Sequence, residues 1–313
     1  MHILITGSAG FIASHLVEFL LEQGHSVTGV DNFITGSKKN IAESMKNPAF
    51  TFVESDILTF DYSSIKKPVD IVFHMASPAS PIQYKKYPVE TLEVNSVGTK
   101  QALQFATEKK AVFVYASTSE VYGDPLVHPQ VEWYWGNVNP NGVRSCYDEA
   151  KRFGEAMCMT YVRLHKTQVR IARIFNTYGP RMDVNDGRVV SNFIVQALKH
   201  EPITLYGTGE QTRSFCYVSD LVRGLYLLAT KPLKEGEVIN IGNPHEMTVL
   251  SIAHKIKVAT QSASDIVKEP IEQDDPSKRK PDISKAKDLL GWEPTITVDE
   301  GLEKTIEYFK KIV

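Results

Sequence analysis

Residues 1–13 read MHILITGSAGFIA. An apolar, strand-like run over 1–6 passes straight into Gly7-Ser8-Ala9-Gly10 and then into a segment with helical apolar spacing, the order of a dinucleotide-binding βαβ unit. Gly7 permits the tight turn and Gly10 lets backbone approach a pyrophosphate. The helix start at Phe11 and Ile12 offers unpaired N–H groups and partial positive charge. Position 13 carries Ala, an accepted substitute for the third glycine where helix meets strand.

Moving outward, a second strand over 26–30 ends in Asp31, 24 residues after Gly7 and followed by Asn32 and Phe33. A carboxylate there accepts hydrogen bonds from an adenine ribose diol and repels a 2′-phosphate. No arginine stands nearby, so the sequence favours NAD over NADP. The plain alternative is a turn or cap residue. Asp56, with Ile57 beside it after a strand over 50–54, is placed to meet adenine. Further strands are expected over 69–75, 111–117 and 168–174, alternating with amphipathic helices. This pattern implies an α/β chain with a Rossmann-like doubly wound parallel sheet. Ligands gather at the carboxyl ends of such strands, so His74-Met75-Ala76-Ser77, Ser117 to Glu120 and Asn176 should line one crevice.

Beyond about 176 the elements shorten between Gly and Pro, with helices expected near 189–199, 218–228, 249–260, 283–290 and 299–310. The expected division is 1–175 for an NAD-binding domain, with part of 207–235 returning to it, and 176–313 mainly for a smaller C-terminal α/β substrate lobe. Polar residues punctuate this lobe: Asn176, Arg181, Arg188, Asn192, Tyr206, Gln211, Arg213 and Arg279. Arginine forks suit a diphosphate, and Tyr206 can stack on a base. Taken singly, each arginine reads rather as a surface ion pair, and it is several in one Gly-rich lobe that turn the reading toward a nucleotide-linked substrate.

The chemistry-bearing pair is Tyr147 and Lys151, four apart on one helical face. A tyrosine working as a base at neutral pH needs a shift of about three units, roughly 4 kcal/mol. An ammonium at about 4 Å in an effective dielectric near 20 supplies about that much. Thr118 or Ser117, at the end of the preceding strand, would hydrogen-bond the same substrate oxygen. The YxxxK pattern recurs at Tyr62 and Lys66, but in an Asp-Tyr-Ser-Ser loop rather than at the head of a long amphipathic stretch.

A chain of 313 residues with 42% hydrophobic content can bury a large core. Its net charge of -2 and pI near 6.5 argue against a nucleic-acid surface. Lys278-Arg279-Lys280, the densest basic cluster, reads as a solvated loop near Asp274-Asp275 and Asp282. Cys146, Cys158 and Cys216 lack metal or CxxC spacing and suggest a reducing compartment without a structural metal. A first strand at Met1 leaves no expected room for a signal peptide. No apolar run approaches the roughly 20 residues needed to cross a bilayer. A cytoplasmic protein is expected.

These segments resemble the extended short-chain dehydrogenase/reductases, and among them the UDP-glucuronate decarboxylase (UDP-xylose synthase) branch, over nearly the whole chain. DNFITGSKKN, HMASPASP, STSEVYGDPLVHPQ, YWGNVNPNGVRSCYDEAKR, RIFNTYGPRM, NDGRVVSNFI, GEQTRSFCYVSDL and DDPSKRKPDISKAK carry the resemblance. Ala13, and Val143 where proline is common, depart from it. For NAD, it implies Thr35, Gly36, Met75, Ala76, Ser77 and Ala116 as further ligands beside Tyr147 and Lys151. For the UDP-sugar, it implies Ser119, Glu120, Asn176, Arg188, Val190, Asn192, Tyr206, Gln211, Arg213 and Arg279. It also implies UDP-glucuronate as substrate. Oxidation at C4 makes a β-keto acid, CO2 leaves as an enolate forms, and re-reduction gives UDP-xylose. Tyr147, Lys151, Thr118, Glu120 and Arg279 are then the expected catalytic residues. Glu120 would serve as an acid/base or water-orienting group near C5, and Arg279 would sit near the diphosphate or the sugar carboxylate.

Related 4,6-dehydratases carry an Asp-Glu pair where this chain has Ser119-Glu120, consistent with losing CO2 rather than a C6 hydroxyl. A UDP-sugar 4-epimerase, an oxidative decarboxylase releasing the 4-keto pentose, and an NAD-sensing regulatory protein stay open. A helix over 147–166 carries Phe153, Met157, Tyr161 and Leu164 as a second apolar face. The resemblance implies pairing of this helix in a homodimer.

Overall fold

Strand β1, His2–Thr6, has an apolar centre, Ile3–Ile5, because it lies in the middle of a sheet covered on both faces. The computed structural model describes residues 1–270, 276 and 278–313, so Asp274 and Asp275 lie outside the described residues. After β1 come β2 (Ser26–Asp31), β3 (Phe50–Glu54), β4 (Ile71–His74), β5 (Val112–Thr118) and β6 (Val169–Ile174). All pair in parallel, in the order β6-β5-β4-β1-β2-β3. A strand not anticipated from the sequence, Glu237–Ile241, adds to the β6 edge. The expected Rossmann-like sheet is present with seven strands.

The chain leaves β1 toward β2 on one side and returns to β4 on the other. This switch point opens the crevice in which such sheets hold ligands. Helix Phe11–Glu22 covers one face through Ala13, Leu16, Val17 and Leu20, spaced as an amphipathic stripe. Helix Ser145–His165 packs on the sheet with Tyr147, Ala150, Lys151, Gly154 and Cys158 buried. Gly154 is required there, because any Cβ would collide with the Tyr115 hydroxyl. Its outer face is narrower than the spacing predicts. Phe153 and Leu164 are exposed, while Met157 and Tyr161 pack partly against the sheet-side core.

The later segments form shorter elements: helices Val189–Leu198, Val218–Thr230, Val249–Thr260, Ser284–Leu290 and Val298–Phe309, each within about two residues of its expected bounds. Thr212–Ser214 sits between Glu246–Thr248, antiparallel, and Lys278–Arg279, parallel. Tyr62, of the second YxxxK pattern, lies in the short turn Tyr62–Ser64. It packs on Phe60 and Phe105.

Candidate active site

A cavity of about 550 Å³ opens at the carboxyl ends of β1, β4 and β5, within the size range of small-molecule sites. Gly7, at φ +71°, forms its floor so closely against β4 that an added Cβ would lie 2.7 Å from Ala76 Cα. Gly10 caps helix Phe11–Glu22 without a side chain. The first-turn residues Phe11, Ile12 and Ala13 line the cavity directly. Thr35, Met75, Ser77 and Ala116 line it as well.

Asp31 is buried at the end of β2. Its two oxygens accept from Ala9 N at 2.9 Å and Phe33 N at 2.7 Å. Burial raises its pKa and these N–H groups lower it. Each carboxylate oxygen keeps a further lone pair, the acceptor pair that a ribose diol needs. Gly36 passes so close that a Cβ would stand 3.0 Å from Asp31 Oδ1. Asn32 Nδ2 donates to Asp56 Oδ2 at 2.9 Å, and Ile57 is buried beside them. Together with Phe33 and Ala76 these residues lie beyond the cavity lining.

The glycine floor, the uncapped helix start and the Asp31 acceptors fit an NAD molecule. Gly7→Ala is expected to purify with less than about a tenth of the parent's bound NAD, since the strained φ and the contact with Ala76 must both give way. Cofactor released from denatured protein measures it, and a parent-like content would show that the floor is not the cradle.

Tyr147 projects from the first turn of its helix into this crevice, fully desolvated. Thr118 Oγ1 accepts from Glu120 N at 3.2 Å, capping the turn Ser119–Tyr122, and hydrogen-bonds the phenol. Of the two candidate hydroxyls the partner is therefore Thr118, because Ser117 Oγ donates to Glu155 Oε1 at 2.6 Å. Lys151 Nζ donates to Ala116 O at 2.9 Å and stands 5.8 Å from the Tyr147 ring centroid. Burial pushes the phenol up, against the Thr118 hydrogen bond, and pushes Lys151 down to about 7. Desolvation thus acts on both groups, and at the phenol the Thr118 hydrogen bond opposes it.

Glu120 is not a free acid. Arg144 Nη2 reaches its Oε2 at 2.5 Å and Arg279 Nη1 holds its Oε1. Against burial, which would raise its pKa, Arg279 and then Arg144 hold the carboxyl down at about 2. Arg279, expected near the diphosphate or the sugar carboxylate, thus spends one nitrogen on Glu120 and keeps Nη2 buried with no partner. Asp148, next on the helix, is pushed up to about 7 by burial and then by the Glu120 charge. Arg144 and Arg279 contact Glu120 directly, so Glu120 carries the charge, while burial and that charge favour the proton on Asp148.

Two neighbours went unnoticed in the sequence. Tyr84 stacks on Tyr147 at 5.0 Å and 7° between planes, its hydroxyl buried without a partner. Arg144 lies three residues before Tyr147, inside a motif already singled out for other reasons.

From the far side Asn176, Arg188, Val190, Tyr206, Arg213 and Arg279 line the cavity, together with Ser119. Arg188 forks onto Asp186 at 2.5 and 2.7 Å. Asn192 and Gln211 do not reach the lining. Gln211 donates to Tyr206 O at 2.6 Å. Among the described residues no cluster of His, Cys, Asp or Glu is arranged to hold a metal. No described helix is long and apolar enough to cross a membrane.

A Rossmann-like sheet with a YxxxK helix against its switch point defines a nicotinamide-dependent class of enzyme. The chain belongs to the NAD dependent epimerase/dehydratase family, whose model matches residues 3–242. It is 52% identical to UDP-glucuronic acid decarboxylase 1 of Xenopus tropicalis, over 99% of this chain and 72% of that protein. It is 51% identical to UDP-glucuronic acid decarboxylase 2 of Arabidopsis thaliana, over 100% of this chain and 69% of the relative. Among solved structures it is similar to UDP-glucuronic acid 4-epimerase from Bacillus cereus in complex with UDP-glucuronic acid and NAD. That match has a TM-score of 0.92 and 32% identity and covers both chains fully.

Proposed function

We propose that this chain converts UDP-glucuronate to UDP-xylose and CO2 with NAD as an internally recycled cofactor. The carrying observation is Glu120 held ionised between Arg144 and Arg279 beside the Tyr147–Thr118 pair. One guanidinium nitrogen there is unengaged, which supports a sugar carboxylate binding beside it. Identity at or above 50% to several UDP-glucuronic acid decarboxylases supports the same reading.

Bound NAD supplies the acceptor for the C4 hydride in the first step and the donor in the last. Because burial raises the phenol, Tyr147 can act as the base only where the positive charges of Lys151 and of bound NAD offset that rise and leave it as phenolate. It then takes the C4 hydroxyl proton and stays hydrogen-bonded to the oxygen as enolate charge develops there, with Thr118 steadying it. Arg279 and Arg144 keep Glu120 ionised, so Glu120 orients a water toward C5 rather than donating a proton of its own. An arginine clamped tightly on the departing carboxylate would stabilise the ground state and slow CO2 loss. Arg279 divided between Glu120 and the pocket avoids that.

Purified protein given UDP-glucuronate and no added nicotinamide is expected to form UDP-xylose and CO2 over many turnovers, followed by NMR. UDP-galacturonate without CO2 would instead make it a 4-epimerase, the activity named for the Bacillus cereus structure. Stoichiometric 4-keto pentose with reduced cofactor would make it an oxidative decarboxylase. Absence of any turnover would leave the sensing role.

The division into a cofactor part, 1–175 with part of 207–235, and a mainly UDP-sugar lobe, 176–313, belongs to this reading. Helix Val218–Thr230 packs beside helix Phe11–Glu22, and the far-side cavity residues all fall after 175. So does a homodimer through the Ser145–His165 helix. Phe153 and Leu164 are exposed there, and Val89, Leu92 and Val97 on the neighbouring segments are exposed too. Light scattering at twice the 35.1 kDa chain mass is expected, and a monomer would refute the pairing. A cytoplasmic setting is part of the proposal, supported by three cysteines that stand as free thiols.

A further inference from the structure

Arg279 sits on a strand of two residues, Lys278–Arg279, too short to fix its own register. What holds the chain just after it is Gln130, fully buried in the loop that follows β5. Gln130 N donates to Lys280 O at 2.8 Å, and Lys280 N donates back to Gln130 Oε1 at 2.7 Å. Asp282 N donates to Gln130 O at 2.8 Å. The side-chain amide is itself aimed by its bond to Val127 O at 3.0 Å.

This clamp is tied to the tyrosine side of the site by buried hydrogen bonds. Asn240 Nδ2 donates to Gln130 O at 3.0 Å and to Asp282 O at 3.2 Å, and Asn240 Oδ1 accepts from Tyr122 OH at 2.8 Å. Arg173 Nη1 donates to the same Tyr122 oxygen at 2.9 Å. Its guanidinium forks onto Glu155 at 2.9 and 2.8 Å, and Glu155 accepts from Ser117. The network starts one residue before Thr118 and ends one residue after Arg279.

We infer that Gln130 is a positioning residue for the reaction, setting where the Arg279 guanidinium stands relative to Glu120 and Tyr147. A buried network with every member satisfied fixes one geometry, whereas an unfilled one loosens it. Losing the Oε1 acceptor leaves the Lys280 N–H without its partner and loosens the segment after Arg279, which the main-chain bonds of Gln130 then hold only in part. A misplacement of about 1 Å at a reacting centre costs on the order of a hundredfold.

The inference rests on the decarboxylase reading, and a double-mutant cycle separates the two. Gln130→Met is expected to lower the turnover number about tenfold in the parent. In an Arg279→Lys background the same change should cost less than about twofold, with bound NAD unchanged in both. Ser214→Ala removes the separate bond from Ser214 Oγ to Arg279 O, at 3.3 Å, without touching Gln130. It should show a smaller loss of about threefold with the same background dependence, and Gln130→Asn, whose shorter amide falls away from Lys280 N, decides the matter should Gln130→Met not fold. Equal losses in both backgrounds, or no loss in the parent, would overturn the positioning role. A parent protein that releases no CO2 would instead overturn the decarboxylase reading.

Discussion

Tyr147→Phe should lower the turnover number on UDP-glucuronate by about 10³-fold while leaving bound NAD unchanged, within the range by which a positioned acid/base accelerates proton transfer. The substitution is nearly isosteric. Phenylalanine keeps the parallel stack on Tyr84 at 5.0 Å, so no cavity opens in the buried wall. What disappears is one hydroxyl and its bond to Thr118, a stability change of about 1 kcal/mol. The loss therefore belongs to chemistry rather than folding. Without the phenol the C4 proton has no acceptor, and neither CO2 nor reduced nicotinamide should form. A variant retaining a tenth of the parent rate would mean that another group, with Lys151 and its pKa near 7 the nearest, takes that proton.

The sheet was readable because its central strands are buried on both faces and so carry continuous apolar runs such as ILI and IVF. The one strand of that sheet that escaped, Glu237–Ile241, lies at the sheet edge, and Glu237 and Asn240 leave only Val238 and Ile239 as adjacent apolar residues. Asn240 is fully buried because Gln130, Asp282 and Tyr122 satisfy it from far along the chain. Tyr147, Lys151 and Thr118 were readable for the opposite reason, since a helical spacing and a strand end fix their placement locally. The ionic partnership at Glu120 was not. Its two cations arrive from 24 and 159 residues away, and nothing in local spacing encodes a contact made only by tertiary folding. Tyr84 escaped similarly, since its place against Tyr147 depends on two helices distant in sequence.

Glu120→Gln should reduce turnover by about a hundredfold or more and stop the reaction after oxidation instead of before it. Tyr147 and Thr118 remain, so the 4-keto sugar and reduced nicotinamide should become detectable, in contrast to Tyr147→Phe. Stability should respond in a pH-dependent way. Removing one partner of a buried ion pair costs roughly 3–5 kcal/mol, because two guanidiniums lose their counter-charge. Asp148 offsets part of this. In the parent, Glu120 titrates in the folded state near 2, below its ordinary 4.5, so its contribution is present above about 4.5 and lost as pH falls toward 2. Asp148 has the reverse sign. Its folded value near 7 lies above the ordinary 3.8, so folding favours its proton and the parent loses stability as pH climbs through that window. With glutamine at 120 the repelling charge is gone while Arg144 and Arg279 stay. Asp148 then ionises readily and becomes the counter-ion. The deficit of the variant relative to the parent should therefore be larger at pH 5 than at pH 8, measured by urea unfolding at both. A deficit that is constant or grows with pH would show that Asp148 is not coupled to Glu120, and that the two carboxyls do not share the charge of this site.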